Sequence, residues 1–227
     1  MKTIVIIGGS KGIGKAISTV MLDENCVINI SRSQPEFSHR NLTHYNCDIL
    51  TDDLPNIEKV DTLIYCPGSI NLKPFERLKI EDFKNDYEIN FIGAVKAIQK
   101  YLPNLKETDN ANILLFSTVA SKLGMPFHTS VASVKSAIEG LVKSLAAEYA
   151  PKIRINAIAP TVTDTTLASK LLRNDRQKEQ MIERHPLKKY LNPEEVAQMA
   201  VFLISDKAAS MSGQIFEMDC GITSFKN

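Results

Sequence analysis

The sequence lacks a long apolar run, and it has almost no net charge. A membrane-spanning helix needs about 20 apolar residues in succession, and no stretch of the sequence approaches that length. The short apolar run that follows Met1-Lys2 is too brief for the core of a signal peptide. A formal net charge of +1 offers no electrostatic reason to bind nucleic acid. We therefore expect a cytoplasmic protein with neither a membrane nor a nucleic acid partner.

The cysteines are few and have no regular spacing. Cys26, Cys47, Cys66 and Cys220 stand alone, without the short intervals that separate metal ligands. Isolated thiols in a cytosolic protein are usually buried and reduced. The sequence therefore predicts no metal site.

Seven short apolar runs predict β-strands, and helical patterns lie between most of them. The runs are Thr3–Ile7, Val27–Ser31, Thr43–Cys47, Thr62–Cys66, Asn112–Ser117, Ile153–Ala159 and Gln214–Met218. This alternation predicts an α/β, Rossmann-like doubly wound sheet of about seven parallel strands flanked by helices. The length favours one dinucleotide-binding domain that covers residues 1–227.

Prolines and short connections define the limits of the other elements. One predicted helix runs from Ile80 to Leu102 and ends at Pro103, and another runs from Ala132 to Tyr149. The connections after the second and third strands, residues 32–42 and 48–61, are short for parallel crossovers. Each has room for one turn of helix or an extended loop.

A glycine-rich loop joins the first predicted strand to a helix. Its sequence is Gly8-Gly9-Ser10-Lys11-Gly12-Ile13-Gly14, and helix-forming residues follow from Lys15. Glycine lets the backbone turn sharply and approach a ligand closely, and the N-terminus of a helix attracts phosphate. The arrangement of strand, loop and helix predicts a dinucleotide site.

Further motifs follow along the chain, each beside a predicted strand or helix. They are Asp48, Gly68, Asn90, Ser117-Thr118, Lys135, the run from Arg154 to Pro160 with Thr165 beyond it, Asn192-Pro193-Glu194-Glu195-Val196-Ala197, Ser212-Gly213-Gln214 and Asp219-Cys220-Gly221. With the glycine loop, these motifs resemble the short-chain dehydrogenase/reductase family in the same order over essentially the full length. The resemblance implies a nicotinamide cofactor lying across the strand ends and a catalytic Asn-Ser-Tyr-Lys set.

The resemblance carries over only part of this catalytic set. Asn90 matches the Asn, Lys135 matches the Lys and Thr118 occupies the Ser position, but Val131 stands where the family has Tyr. In the family, the Tyr exchanges a proton with the substrate oxygen while the Lys holds the nicotinamide ribose. Valine has no ionisable atom and cannot act as an acid or base. The sequence therefore predicts altered proton delivery.

His128 is the candidate replacement acid in the sequence. It lies seven residues before Lys135, on the same helical face if the helix begins early. The alternative is a loop histidine that faces solvent or packs at the rim. Ser130 and Ser133 are simpler to explain as hydrogen-bonding residues at the start of the helix.

NADP(H) is the expected cofactor, in preference to NAD(H). The second strand ends in Ser31-Arg32-Ser33 without the carboxylate that binds a ribose 2′-hydroxyl. Arg32 can bind a 2′-phosphate, and Lys11 adds positive charge, although both would also suit a solvated surface. The resemblance implies further cofactor contacts from residues shared with the family pattern: Gly8, Ser10, Gly12, Ile13, Gly14, Asp48, Gly68, Asn90, Lys135, Pro160, Val162 and Thr165.

Three residues depart from the family pattern beside the cofactor site. Ile7 replaces a Thr before the loop, Pro67 removes a backbone donor, and Thr161 adds a side chain after Pro160. The segment from Thr163 to Tyr190 is expected to meet a small-molecule substrate. It carries a modest excess of basic residues, which suits either an anionic substrate or a solvated helix.

Three functions remain open from the sequence. The first is an NADP(H)-dependent oxidoreductase that acts on a carbonyl or alcohol. The second is a catalytically silent NADP(H)-binding regulatory or structural subunit, and the third is dehydration or isomerisation on the same scaffold. The resemblance also implies a homodimer or homotetramer that pairs the helices around Ile80–Leu102 and Ala132–Tyr149.

Overall fold

The structure is a computed structural model that describes residues 1–225. The strands of the described chain are β1 (Thr3–Ile7), β2 (Cys26–Ser31), β3 (Leu42–Asn46), β4 (Thr62–Tyr65), β5 (Ala111–Phe116), β6 (Ile153–Pro160) and β7 (Ile215–Met218). Its α-helices are α1 (Gly12–Met21), α2 (Ile80–Tyr87), α3 (Gly93–Lys106), α4 (Thr129–Tyr149), α5 (Asp175–Arg184) and α6 (Pro193–Ile204). Among these residues, no helix combines the length and the apolar character needed to cross a bilayer.

All seven strands are parallel and form one sheet in the order β3-β2-β1-β4-β5-β6-β7. The direction of winding reverses between β1 and β4. Doubly wound sheets bind ligands in the crevice at this reversal, beyond the carboxyl ends of the strands. The predicted α/β fold is confirmed.

Helices cover both faces of the sheet, so its central strands are apolar on both sides. Alternate side chains of a strand point to opposite faces. In β1, Ile4 and Ile6 pack in a cluster with α1 and α6, whereas Val5 and Ile7 pack in a cluster with α3 and α4. This double burial explains why the sequence of β1 reads as a continuous apolar run.

The two short crossovers are extended loops, which was one of the two alternatives that the sequence allowed. Residues 32–41 and 47–61 are all described and contain no α-helix. Leu54 and Val60 of the second crossover are buried and join the core on the α3 side of the sheet. A short loop can therefore replace a helix here because its own apolar side chains cover the sheet.

The prediction of one helix from Ile80 that ends at Pro103 is wrong at two points. A π-helical segment, Glu88–Ile92, separates α2 from α3, and Pro103 lies inside α3 rather than after it. Tertiary contacts hold the last turn: Leu105 is fully buried, and the Asn104 amide donates to the carbonyls of the β3–β4 crossover at 2.9 and 3.1 Å. These contacts offset the hydrogen bond that Pro103 cannot make.

The start of α4 also differs from the prediction, because the helix begins at Thr129 and not at Ala132. The added turn carries Ser130 and Val131, both buried. His128 occupies the position just before the helix, and its carbonyl accepts from the Ala132 N–H at 2.8 Å. The early start places this segment against the catalytic candidates.

Candidate active site

The glycine loop between β1 and α1 adopts a backbone that needs glycine. Gly8 and Gly12 have φ values of +80° and +53°, in the left-handed region where other residues are strained. A Cβ on Gly14 would lie 2.2 Å from the Gly8 carbonyl oxygen. The loop can therefore pack closely against the start of α1, and it leaves backbone N–H groups available to a phosphate.

An asparagine in β2 fixes this loop. Asn29 is fully buried; its Oδ1 accepts from the Gly9 N–H at 2.8 Å, and its Nδ2 donates to Ser10 Oγ at 2.8 Å. The Ser10 hydroxyl then donates to the Ser33 carbonyl at 2.6 Å. The sequence interpretation missed Asn29, although an amide inside an apolar strand was a visible signal.

One cleft lies at the carboxyl ends of β2 and β3, and we call it the outer cleft. It is lined by residues that include Gly8, Ser10, Lys11, Arg32, Ser33, Asp48 and Gly68. The Arg32 side chain is 71% exposed, and its Nη1 lies 3.8 Å from Asp48 Oδ2. Such an exposed pair contributes little stability, so Arg32 remains available to an anionic ligand.

A second, larger cavity adjoins the outer cleft, and Gly68 lines both. We call it the main cavity. It brings together the sequence candidates Ile13, Gly68, Asn90, Thr118, His128, Val131, Lys135, Pro160, Val162 and Thr165. Gly12 does not line it, but lies beside Thr165, whose Cγ2 would be 3.2 Å from a Cβ at Gly12. The structure therefore places the predicted catalytic residues next to the predicted cofactor residues.

The π-helical segment sets the orientation of Asn90, which is fully buried. Its Nδ2 donates to Ser69 Oγ at 2.9 Å and to the Asp86 carbonyl at 2.8 Å. Its Oδ1 is buried and has no hydrogen-bond partner within residues 1–225. A Cβ on Gly68 would lie 3.2 Å from this oxygen. An unpaired buried acceptor is costly, so the space above Gly68 fits a ligand that supplies a donor.

Lys135 faces the same space. Its side chain is buried, and Nζ donates to the Phe116 carbonyl at 2.8 Å. Burial lowers the pKa of Lys135 to about 8, while Cys66 and Asp86 act in the opposite direction. The ammonium therefore keeps its charge at neutral pH. It also keeps N–H groups that Phe116 does not use, and a Cβ on Gly68 would lie 3.8 Å from Nζ.

Three side chains that line the cavity with Lys135 differ in their ability to donate a proton. Val131 is buried and apolar. Thr118 Oγ1 accepts from the Ala120 N–H at 3.3 Å, so its own O–H remains free to donate. His128 Nδ1 lies 2.8 Å from the Pro126 carbonyl, so Nδ1 carries a proton and donates there, and Nε2 is the nitrogen left for a ligand.

A buried carboxylate lies behind Asn90, and the sequence interpretation missed it. Asp86 is 2% exposed. Its Oδ1 accepts from the Ser69 hydroxyl at 2.5 Å, and its Oδ2 accepts from the Ser130 hydroxyl at 2.6 Å. Asp86 precedes Asn90 by four residues, which places both on one helical face. That spacing was the only signal in the sequence.

A buried histidine also lines the main cavity. His185 is fully buried, and its Nδ1 lies 2.7 Å from the Met181 carbonyl. Nδ1 must donate there, so Nε2 accepts from the Thr161 hydroxyl at 2.7 Å. The extra side chain at Thr161 is therefore paired by His185 rather than left free beside the cofactor site.

These features define a dinucleotide-binding fold with a site suited to a nicotinamide cofactor. The left-handed glycines leave N–H groups for a pyrophosphate, the outer cleft supplies cations, and the cavity supplies the unpaired Asn90 acceptor and the Lys135 ammonium. Within the described part of the chain, no group of three His, Cys, Asp or Glu side chains could hold a metal ion.

Comparison with known proteins gives the family. A family model described as enoyl-(acyl carrier protein) reductase matches residues 46–223. The 3-oxoacyl-[acyl-carrier-protein] reductase of Rickettsia felis is 31% identical, with 97% of this chain and 96% of the relative covered. The corresponding reductase of Thermotoga maritima is 27% identical, with 97% of both chains covered. The chain belongs to the short-chain dehydrogenase/reductase family of oxidoreductases.

A solved structure agrees with this assignment. The protein ElxO, determined with NADP bound, superposes with a TM-score of 0.89 at 25% identity, covering 99% of both chains. The comparison extends the likeness to the whole described fold and adds a relative in which the cofactor is known.

Proposed function

We propose that the protein is an NADP(H)-dependent reductase of a carbonyl compound with an altered source of protons. The observation that carries the proposal is the pair formed by the unpartnered Asn90 Oδ1 and the Lys135 ammonium above Gly68. Both lie in a cavity that joins the cleft of the glycine loop. Asn90 and Lys135 are retained from the family's catalytic set, and we assign them the binding and orientation of a nicotinamide ribose.

The preference for the phosphorylated cofactor rests on charge. Arg32 and Lys11 line the outer cleft, and Arg32 follows a strand that ends without a carboxylate. A guanidinium binds phosphate through two parallel hydrogen bonds. The NADP bound to ElxO supports the same choice.

The chain's own residues would act on the carbonyl oxygen. When bound, the nicotinamide supplies a hydride to the carbonyl carbon. The free Thr118 O–H donates a hydrogen bond to the carbonyl oxygen and so polarises the bond. A proton must then reach that oxygen, and Val131 cannot provide it. His128 lines the cavity and is one candidate donor.

The first experiment is titration with NADPH, with NADH in parallel, followed by a panel of carbonyl substrates. Tight binding of NADPH with weaker binding of NADH is the expected result. The panel then compares the wild-type protein with Val131→Tyr, which restores the family's acid. We expect turnover by the wild-type protein and a higher kcat for Val131→Tyr. Failure to bind either cofactor would refute the proposal.

The missing acid favours a second candidate, a catalytically silent NADP(H)-binding subunit. This reading predicts tight NADPH binding without turnover of any panel member. The same preparation tests the other proposals: light scattering is expected to give the mass of a homodimer or homotetramer, and cell fractionation is expected to place the protein in the cytoplasm. A monomeric mass would refute the proposed assembly.

His128→Ala tests the candidate donor of the sequence analysis. If His128 supplies the proton, kcat falls by about 100-fold or more while the NADPH Kd stays constant, because this role gives the imidazole a part in proton transfer and none in holding the cofactor. Unchanged turnover would exclude this role.

A further inference from the structure

Ser69 and Asp86 form a hydrogen-bonded pair that crosses the wall of the main cavity. Ser69 lines the cavity, whereas Asp86 lies behind it and is 2% exposed. The Ser69 hydroxyl donates to Asp86 Oδ1 at 2.5 Å, and it accepts from Asn90 Nδ2 at 2.9 Å. A group inside the cavity can therefore exchange a proton with a buried acid through a single hydroxyl.

The burial of the Asp86 carboxylate is energetically unfavourable and calls for an explanation. A carboxylate loses its hydration when it is buried, and hydrogen bonds or a charged partner must compensate for that loss. Here the partners of its two oxygens are neutral hydroxyls, and Lys135 influences it only at longer range. The Ser69 partner of Asp86 lines the cavity, so a ligand there would be separated from the buried carboxylate by one hydroxyl.

We propose that Ser69, backed by Asp86, replaces the missing phenol as the proton-exchanging group of the proposed reductase. In alcohol oxidation, Ser69 Oγ takes the alcohol proton as its own proton passes to Asp86 Oδ1. The electron pair of the broken O–H bond forms the carbonyl as the carbon loses a hydride to the cofactor. The arrangement in the structure, with Ser69 donating to Asp86, is the starting state for this direction.

Carbonyl reduction follows the same path in reverse. Protonated Asp86 donates to Ser69 Oγ while the Ser69 proton passes to the substrate oxygen, and the C=O π electron pair becomes the new O–H bond. The hydride comes from the cofactor of the proposed function. After product release, a proton supplied by the acid form of the solvent buffer returns to Asp86 through Ser69, and the buffer is left as its conjugate base. The oxidation state of Ser69 and Asp86 is unchanged throughout.

The chain provides a matched pair of variants. Ser69 and Ser130 each donate to one oxygen of Asp86 at nearly equal distance, but only Ser69 lines the cavity. We expect Ser69→Ala to lower kcat by at least about 100-fold and Asp86→Asn to do the same. Ser130→Ala removes a partner of Asp86 that does not line the cavity, so it should lower kcat far less than Ser69→Ala does. The NADPH Kd of all three variants, measured by fluorescence, should stay within a few-fold of the wild type.

A second background separates proton transfer from support of the fold. In Val131→Tyr, the phenol supplies the proton, so Ser69→Ala should cost only a few-fold in kcat there. An equal loss in both backgrounds would overturn the proposal, because it would mean that Ser69 only shapes the site. Wild-type turnover that survives Ser69→Ala would also overturn it and leave the proposed function standing.

The inference rests on the proposed function, and the assays distinguish the two failures. If the wild-type protein binds NADPH and turns over nothing, the proposed function fails and the proton path fails with it. If the wild-type protein is active and His128→Ala alone abolishes turnover, only the assignment to Ser69 fails. Loss in Ser69→Ala and Asp86→Asn, relieved by Val131→Tyr, is the supporting result.

Discussion

Replacing Lys135 by methionine is expected to stabilise the protein while impairing its site. The side chain is 8% exposed, and burial lowers its pKa from 10.5 to about 8. A shift of this size means that the folded protein disfavours the charged form by about 3 kcal/mol. The change also takes the charged donor away from the buried Phe116 carbonyl, which costs about 2 kcal/mol. Lys135→Met should therefore raise the free energy of unfolding by about 1 kcal/mol at neutral pH.

The pH dependence of this gain has a definite sign. Between about pH 8 and 10.5 the unfolded chain holds the lysine proton and the folded chain has released it, so wild-type stability rises with pH across that window. Below about pH 8 the penalty is fully present. The stability of Lys135→Met relative to the wild type should fall by about 2 kcal/mol between pH 7 and pH 9.5, because methionine does not titrate.

Urea unfolding followed by circular dichroism measures this difference, since the sequence contains no tryptophan. Lys143→Met is the control, because Lys143 lies on the same helix and is exposed. It should leave the pH dependence of the wild type unchanged. A stability difference for Lys135→Met that is the same at both pH values would refute the argument from burial. NADPH should bind Lys135→Met more weakly, which separates stability from function.

Three other substitutions test the loop, the cofactor preference and the buried histidine. Gly14→Ala places a Cβ 2.2 Å from the Gly8 carbonyl oxygen, so it should abolish NADPH binding in calorimetry and lower the unfolding free energy by about 2 kcal/mol; normal binding would contradict this packing. Arg32→Ala should raise the NADPH Kd about tenfold and leave the NADH Kd unchanged, and an equal change in both would remove Arg32 from the phosphate site. Thr161→Val leaves His185 Nε2 unpaired and should cost about 1–3 kcal/mol in urea unfolding, whereas unchanged stability would refute that pairing.

The fold could be predicted because its strands are buried on both faces. The run Thr3–Ile7 matches β1 at both ends, since a continuous apolar segment between turn residues has few other uses in an α/β protein. Local pattern also placed the glycine loop between β1 and α1. The end of α3 could not be predicted, because it depends on contacts that Asn104 and Leu105 make with distant segments.

Only part of the candidate site could be predicted from the sequence. Residues that belong to a motif, such as Asn90 and Lys135, could be located in advance. The hydrogen bonds of Asp86 with Ser69 and Ser130 could not, because they form only when α2 packs against α4 and brings Ser130 to a carboxylate 44 residues away. His185 is similar: its partner Thr161 lies 24 residues earlier. No pattern of spacing along the chain reports such a contact.

The π-helical segment makes the site sensitive to the deletion of a single residue. Its wider turn, in which the Gly93 N–H donates to the Glu88 carbonyl, holds one more residue than an α-helical turn would. Deleting one residue there would make the helix regular but rotate α2 by about 100° relative to α3. Deletion of Glu88 or Ile89 would change the spacing of Asp86 and Asn90 from four residues to three, so the two side chains would lose the relation in which both contact Ser69. The geometry of the site is therefore coupled to the extra residue of this turn.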